Sequence, residues 1–264
     1  MKKRLRKQKR ACDTLFHGIC RLAELLQKMR NMMNTLEKFL DLLAVSTFVD
    51  MTHPLEEGIP HWPTQAGFTL HPGMNYVEDG SFWRNVTFCE HTGTHVDAPS
   101  HFIQGGEYVD GIPLKRLMGR GVRIDATGTA AGGVTSADHV KKFEARHGAL
   151  QKGDLVFFRF GWDKKWKTGE EGRPFMENWP GISRETAEYL LEKGVSAVGT
   201  DASALDASNT SNPAHKVLLG NGVYIIENVD RLDTLPAFFG VIGLPCRFKD
   251  GSGATIRLVA VLDK

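Results

Sequence analysis

The run His91-Thr92-Gly93-Thr94-His95-Val96-Asp97-Ala98-Pro99-Ser100-His101-Phe102 constrains the backbone more than any other stretch of the chain. Every imidazole or carboxylate in it stands at an odd position, so in extended chain, where side chains alternate faces, His91, His95, Asp97 and His101 all point one way. A regular helix is disfavoured because Gly93 and Pro99 interrupt it. A straight strand fails as well: at roughly 3.3 Å per residue His91 and Asp97 would stand about 20 Å apart, whereas one metal ion needs its donor atoms at about 2 Å. The run therefore bends, at Gly93-Thr94. A bent His-x-x-x-His-x-Asp segment supplies two neutral nitrogens and one anionic oxygen, a set that suits Zn²⁺ or Mn²⁺ and leaves positions open for water. His101, four residues past Asp97 and beyond a rigid proline, then sits close to that water without having to bind metal. A single histidine is more often structural or solvated; four such groups in phase, with Gly and Pro bending the backbone, point to a metal site.

The rest of the chain decides what carries this run. With 264 residues, 41% of them hydrophobic and 24% charged, there is apolar surface for one large core or two small ones, which excludes a disordered protein. No window approaches the roughly 18 uninterrupted apolar residues of a membrane span. The net charge of +2 gives no basic excess for nucleic acid, and none is expected as a partner. That total joins two unlike parts: residues 1–44 hold 11 Lys/Arg against 4 Asp/Glu, and the remainder holds 22 against 27. Cys12, Cys20, Cys89 and Cys246 form no C-x-x-C pair and no regular spacing, so neither a zinc knuckle nor a disulfide framework is expected.

Seven of the first ten residues are basic, but no apolar stretch follows as a signal peptide requires. A mitochondrial presequence would share the basic, acid-poor composition and would also be Ser-rich, yet no Ser precedes Ser46. These absences and the unpaired cysteines lead to a cytoplasmic expectation. Leu15, Ile19, Leu22, Leu26, Met29, Met33, Leu36, Leu40 and Leu43 then alternate spacings of 4 and 3, a heptad seam on one long helix. Such a helix either joins subunits as a coiled coil or lies against its own domain.

Residues 45–264 have a different texture, of short apolar runs punctuated by Gly, Pro and Asn. Thr135-Ser136-Ala137-Asp138 resembles a capping box opening a helix through His147, with Gly148 as its stop. Ser183 caps a second helix that ends at Gly194. Strands are expected at 122–126, 154–160, 196–200, 223–226, 241–244 and 255–261, which makes the domain mixed α/β. Asp250-Gly251-Ser252-Gly253 joins the last two strands and has no helix after it, as a hairpin turn would. There is no G-x-S-x-G elbow, no Walker loop and no G-x-G-x-x-G opening a helix.

His-Thr-Gly-Thr-His-Val-Asp-Ala-Pro-Ser-His-Phe resembles the H-x-G-T-H-x-D-x-P-x-H signature of the cyclase family of metal-dependent hydrolases, which includes bacterial kynurenine formamidases and isatin hydrolases. The resemblance extends over about residues 48–264: Val49 through Leu55 looks like the family's opening strand and Trp62-Pro63 like its following turn. Gly199 through Asp206 and His215 through Glu227 resemble the second half of its site. It implies a swivelling β/β/α-type domain, preceded here by the long N-terminal helix, that assembles as a homodimer or larger homo-oligomer. It also implies one or two divalent ions, Zn or Mn, per subunit. His91, His95 and Asp97 would hold the first; Asp97, His215 and Glu227 would hold a second; His101 would be the acid/base. On the residues alone His215 reads as a surface histidine and Glu227 as a strand-end carboxylate.

Metal coordination lowers the pKa of water from 15.7 toward about 7 and polarises a carbonyl, while His101 is suited to moving a proton near neutrality. The expected reaction is hydrolysis of a non-peptide amide of a small aromatic substrate, arylformamidase-like, with isatin-like opening of a cyclic amide or lactone as the alternative. Trp62, Phe82 and Trp83 are the candidates for an aromatic wall against which a substrate ring would lie. Thr94 and Ser100 read as turn formers or hydrogen bonders to the ligands rather than nucleophiles. A reading of another class is a non-catalytic scaffold with a vestigial site, against which the full set of donors stands.

Overall fold

The computed structural model describes residues 21–29 and 34–263. The chain divides into two compact units, residues 1–47 with 263–264, and Phe48–Leu262. In the first, residues 21–29 and 34–45 are helical, and Leu22, Leu26, Met29, Leu36, Leu40 and Leu43 of the heptad seam are exposed, as are Leu25 and Phe39 beside it. Leu15, Ile19 and Met33 of the seam, and the basic first ten residues, lie outside the described residues. Among the described residues no helix is long and apolar enough to cross a membrane.

The second unit is built on twelve strands: β1 (Ser46–Asp50), β2 (Thr69–Met74), β3 (Trp83–Thr87), β4 (His95–Asp97), β5 (Met118–Asp125), β6 (Val134–Thr135), β7 (Leu155–Arg159), β8 (Gly181–Ile182), β9 (Ala197–Thr200), β10 (Tyr224–Glu227), β11 (Phe238–Pro245) and β12 (Gly253–Asp263). Eight of them form one sheet in the order β1-β12-β11-β5-β7-β9-β10-β4, and β4 also pairs with β12. That second pairing closes seven strands into a barrel-like ring. Strands β5, β7, β9 and β10 run parallel, while β11, β12 and β4 supply antiparallel pairs.

The parallel strands read as near-continuous apolar runs because both of their faces are covered. In β7, Leu155 and Phe157 point into one core with Val96, Ala197, Ile226, Val241, Ile256 and Leu258. Val156 and Phe158 point the other way, into a core shared with Val140 and Phe143 of α2 (Ala137–His147), Ala187 and Leu190 of α3 (Arg184–Lys193), and Leu218 of α4 (Pro213–Leu219). A short helix, α1 (Tyr76–Asp79), caps the separate β2–β3 hairpin. As expected, Ser183 accepts a hydrogen bond from the Thr186 N–H at 3.2 Å and Gly194 ends α3 at φ +71°. The other helix starts one residue later than a capping box on Thr135 requires. Thr135 is committed to pairing with Ile182, and its hydroxyl meets that of Thr129, so Ser136 takes the N-cap position without a side-chain capping bond.

Gly199 lies beside Phe157 in the parallel β7–β9 register, and a Cβ there would stand 2.4 Å from Phe157 Cδ1. Gly199→Ala is expected to lower stability by about 1–3 kcal/mol through overpacking, measured as a reduced urea midpoint at unchanged slope. The double variant Gly199→Ala/Phe157→Leu recovers part of that loss.

Candidate metal centre

Gly93 adopts φ +65°, a conformation that calls for glycine at the bend. Thr94 fastens the bend to the end of the neighbouring strand β10 and to the segment after β1: its hydroxyl donates to the Asn228 carbonyl at 2.6 Å and accepts from the His53 N–H at 3.0 Å. Asn228, itself at φ +55°, returns a bond from Nδ2 to the Gly93 carbonyl at 2.8 Å. The chain then enters β4, whose register sets His95 opposite Glu227 of β10 and opposite Thr255 of β12. Asp97 falls opposite Ile225 and Gly253. Period-two geometry therefore gives His95, Asp97 and Glu227 one common face, with Val96 turned into the core. Pro99–His101 forms a 3-10 turn that carries His101 back over the strand.

Asp97 is the centre of the cluster. Its Oδ1 lies 2.8 Å from His91 Nδ1 and 3.3 Å from His95 Nε2, and its Oδ2 lies 3.6 Å from His215 Nε2. Glu227 approaches from β10, with Oε1 at 3.0 Å from His215 Nε2 and Oε2 at 3.6 Å from His95 Nε2. All five side chains are buried, whereas His101 is exposed, its ring centroid 4.0 Å from that of His91. Among the described residues two groups have donor atoms close enough for one ion, His91 with Asp97 and His101, and His95 with Asp97 and Glu227; Asp97 belongs to both.

Outer partners decide which nitrogen of each ring faces the centre. His95 Nδ1–H donates to the Gly93 carbonyl at 2.8 Å, leaving Nε2 for the cluster. Asp206 Oδ2 accepts from His215 Nδ1–H at 2.7 Å and from the His215 backbone N–H at 2.9 Å, and its Oδ1 takes the Ala214 N–H at 2.9 Å. One carboxylate thus sets both the start of α4 and the tautomer of His215. For His91 the order is reversed. Ser252 Oγ donates to Glu90 Oε1 at 2.6 Å and so accepts from His91 Nε2–H at 2.8 Å, which turns Nδ1 inward. Asp201, after β9, accepts the Phe160 and Gly161 N–H groups at 2.8 and 2.7 Å and ties the end of β7 beside the site; burial pushes it up to about 7.

The electrostatics follow from burial opposed by pairing. Burial by itself would push His95 down, but its bond to Asp97 and the charges of Asp97 and Glu227 outweigh this and hold it at about 9. Burial would raise Asp97, yet the three imidazoles gathered around it, His91 at hydrogen-bonding distance, hold it well below the usual carboxylate range. His215 is raised against its own burial by Asp206, Asp97 and Glu227. His101 goes the other way: although the residue reaches solvent, loss of water around its ring against His91 and Phe102 outweighs the pull of Asp97 and lowers it. A frame of oriented imidazole nitrogens around two buried carboxylates is a donor set that fits a divalent ion.

Beside the cluster opens a cavity of about 230 Å³ whose lining includes Trp62, Gln65, His101, Phe102, His215 and Glu227. Trp62 is braced edge-on by Trp179, with ring centroids 5.4 Å apart. Phe82 and Trp83 are not part of that lining. Both are exposed on the β2–β3 hairpin, where Phe82 stacks on Tyr76 at 5.8 Å. Sequence reasoning gave no role to Glu90, Ser252, Asn228 or Gln65. Glu90 stands next to His91, and Ser252 lies in the segment read as a hairpin turn, but neither position carries a local pattern that announces its partner.

The Cyclase family model matches residues 49–207. An isatin hydrolase of Roseibium aggregatum is 32% identical over 216 residues, 74% of this chain and 81% of that protein. A kynurenine formamidase of Bacillus cereus is 27% identical over 221 residues, 82% of this chain and 98% of that protein. The crystal structure of an isatin hydrolase bound to the product analogue thioisatinate superposes with a TM-score of 0.78 at 28% identity, covering 89% of this chain and 99% of that one. With the signature run bent around a buried carboxylate and more than half of its length matched, the chain belongs to the cyclase family.

Proposed function

We propose that this chain is a metal-dependent hydrolase that cleaves a non-peptide amide of a small aromatic substrate, with N-formylkynurenine as the first substrate and formate and an aryl amine as products. The observation that carries the proposal is Asp97, a buried carboxylate shared by two donor groups beside a cavity lined by aromatic rings and His101. The kynurenine formamidase relative supports it. A second reading, hydrolytic opening of an isatin-like cyclic amide, is favoured by the 32% identity to an isatin hydrolase. The cavity, at about 230 Å³, is smaller than most drug-sized sites and suits a substrate of this scale.

In this proposal His91, His95 and Asp97 hold one ion, and Asp97, His215 and Glu227 hold a second where two are bound, Zn²⁺ or Mn²⁺ in either case; the closest donor groups in this structure are instead His91 with Asp97 and His101, and His95 with Asp97 and Glu227, so loading regroups the rings about the shared Asp97. When bound, the metal supplies Lewis acidity and a more acidic water at neutral pH. The chain's own residues do the rest. Trp62 and Phe102 flank the substrate ring and exclude water. His101, at the cavity edge, takes a proton as the water oxygen bonds to the carbonyl carbon, then returns it to the nitrogen as the C–N bond breaks. Ser252, Asp206 and Gly93 keep the ligand nitrogens aimed.

Protein loaded with Zn²⁺, Mn²⁺ or Co²⁺ is expected to turn over N-formylkynurenine, and chelation to abolish the turnover. Absence of any bound transition metal, with no activity on N-formylkynurenine or isatin after metal addition, would overturn the proposal. His101→Ala is expected to retain metal and lose about 10²–10⁴-fold in kcat; a full rate would remove His101 as the acid/base. Ser252→Ala is expected to weaken metal binding about 10–100-fold by freeing the His91 ring, read by competition with a chromogenic chelator. The exposed heptad face further supports a homo-oligomer, and deletion of residues 1–44 is expected to lower the assembled mass by more than the deleted residues account for; an assembly that keeps its subunit number would show that the helix does not join subunits.

A further inference from the structure

Resting on the proposed amide hydrolysis, we infer that Gln65 recognises the N–H of the substrate amide and selects nitrogen compounds over isosteres that lack that donor. Residues Trp62-Pro63-Thr64-Gln65 form a tight turn closed by the Gln65 N–H donating to the Trp62 carbonyl at 2.9 Å. Pro63 occupies the second position of this turn, where its fixed φ is pre-set. The turn delivers two side chains to one cavity: Trp62 and Gln65, at its ends, both line the space that His101, His215 and Glu227 line from the other side. Trp62 is fixed there by Trp179 and offers an apolar face.

Gln65 offers something different. Its Oε1 is buried and has no hydrogen-bond partner. A buried carbonyl oxygen left unpaired is unfavourable, and native structures keep such groups where a donor arrives from outside the protein. The neighbouring protein groups do not supply that donor. Glu227 is itself an acceptor, the Nε2 atom of His215 is directed at Glu227 and Asp97, and none of the other donors lining the cavity, on Thr64, His101 and Asn212, is bonded to Gln65 Oε1. In this inference the donor is brought by the ligand that enters the cavity. An aryl amide brings one, the N–H between ring and carbonyl. With the ring against Trp62, three residues away along the turn, that N–H lies toward Gln65 and the carbonyl toward the cluster around Asp97.

The test compares 2-oxindole with 2-indanone, a pair of equal shape in which the ring N–H is replaced by CH₂, by calorimetric titration of the metal-loaded protein and its Gln65→Met variant. Met keeps the length of the side chain and removes the acceptor. Wild type is expected to bind 2-oxindole about tenfold to a hundredfold more tightly than 2-indanone, and Gln65→Met to bring the ratio near one by weakening 2-oxindole alone. Equal weakening of both ligands would make Gln65 a packing residue and overturn the inference. So would an unchanged ratio, which would mean that water satisfies Oε1. Parallel turnover of formanilide separates this outcome from the enzyme proposal: a preserved N–H preference without turnover sinks the hydrolase reading only, and turnover with no N–H preference sinks only the role of Gln65.

Discussion

Strand β4 is three residues long and hydrogen-bonds along both edges, to β10 on one side and β12 on the other. The closure of the barrel and the existence of the site both depend on that double pairing. Its register puts Val96, fully buried, into the core with Leu155 and Phe157, and turns His95 and Asp97 to the opposite face. A slip of one residue on either edge would exchange the two faces, setting a histidine and an aspartate into an apolar core and a valine into the cluster. The apolar core therefore enforces the polar geometry. Gly253 shows how closely the two are joined: a Cβ there would lie 2.5 Å from His91 Cε1 and 2.8 Å from the Val96 carbonyl, so the strand that closes the barrel also leaves the space the His91 ring occupies.

Burying Asp97, Asp206 and Glu227 would be costly without donors, since an unpaired buried charge loses its hydration with no return. Each carboxylate is supplied from nearby. Asp206 receives two backbone N–H groups and the His215 ring; Glu227 receives the Leu205 N–H at 2.8 Å and His215; Asp97 receives three imidazoles. The order matters. Asp206 and Glu90 face outward from the centre and fix ring orientation, whereas Asp97 and Glu227 face inward. An imidazole whose outer nitrogen carries its proton presents a lone pair inward once it is neutral, so ligand preparation is done by residues that need never touch an ion.

How far this was legible in the sequence depends on whether the cause of a feature is local. The bend at Gly93 and the common face of His95 and Asp97 follow from residue types within a few positions, and the structure has them. Helix α3 and the six expected strands follow from local periodicity, their ends shifted by up to four residues, most where pairing extends them, as in β5, which runs from Met118 to Asp125, and β11, which runs from Phe238 to Pro245. The pairing of β4 with strands more than 120 residues away has no local cause. His215 and Glu227 join the cluster around Asp97 only through that pairing and through Asp206, so composition and spacing around them hold no trace of that placement; likeness to a known family supplied the expectation. Thr135 failed as a helix cap for the same reason, because a bridge to Ile182 claimed its backbone.

The aromatic residues near the motif divide along the same line. Phe82 and Trp83 precede His91 by fewer than ten residues, and Trp62 precedes it by nearly thirty, yet only Trp62 lines the cavity. Chain proximity brings Phe82 and Trp83 close to the strand in sequence, but they belong to a two-stranded hairpin paired with nothing else in the main sheet. A hairpin of that kind is marginal on its own, and its exposed Met74, Tyr76, Phe82, Trp83 and Val86 gain nothing from the core of this chain. Trp62 is held instead by a proline turn and by the ring of Trp179, whose own Nε1–H donates to the Asp206 carbonyl at 2.9 Å. The residue whose side chain orients His215 thus also anchors, through its backbone, the aromatic wall of the cavity. A change at Asp206 would reach both the His215 ring and the Trp62 face of the cavity together, which makes this one carboxylate the point where the geometry of the cluster and the shape of the cavity are coupled.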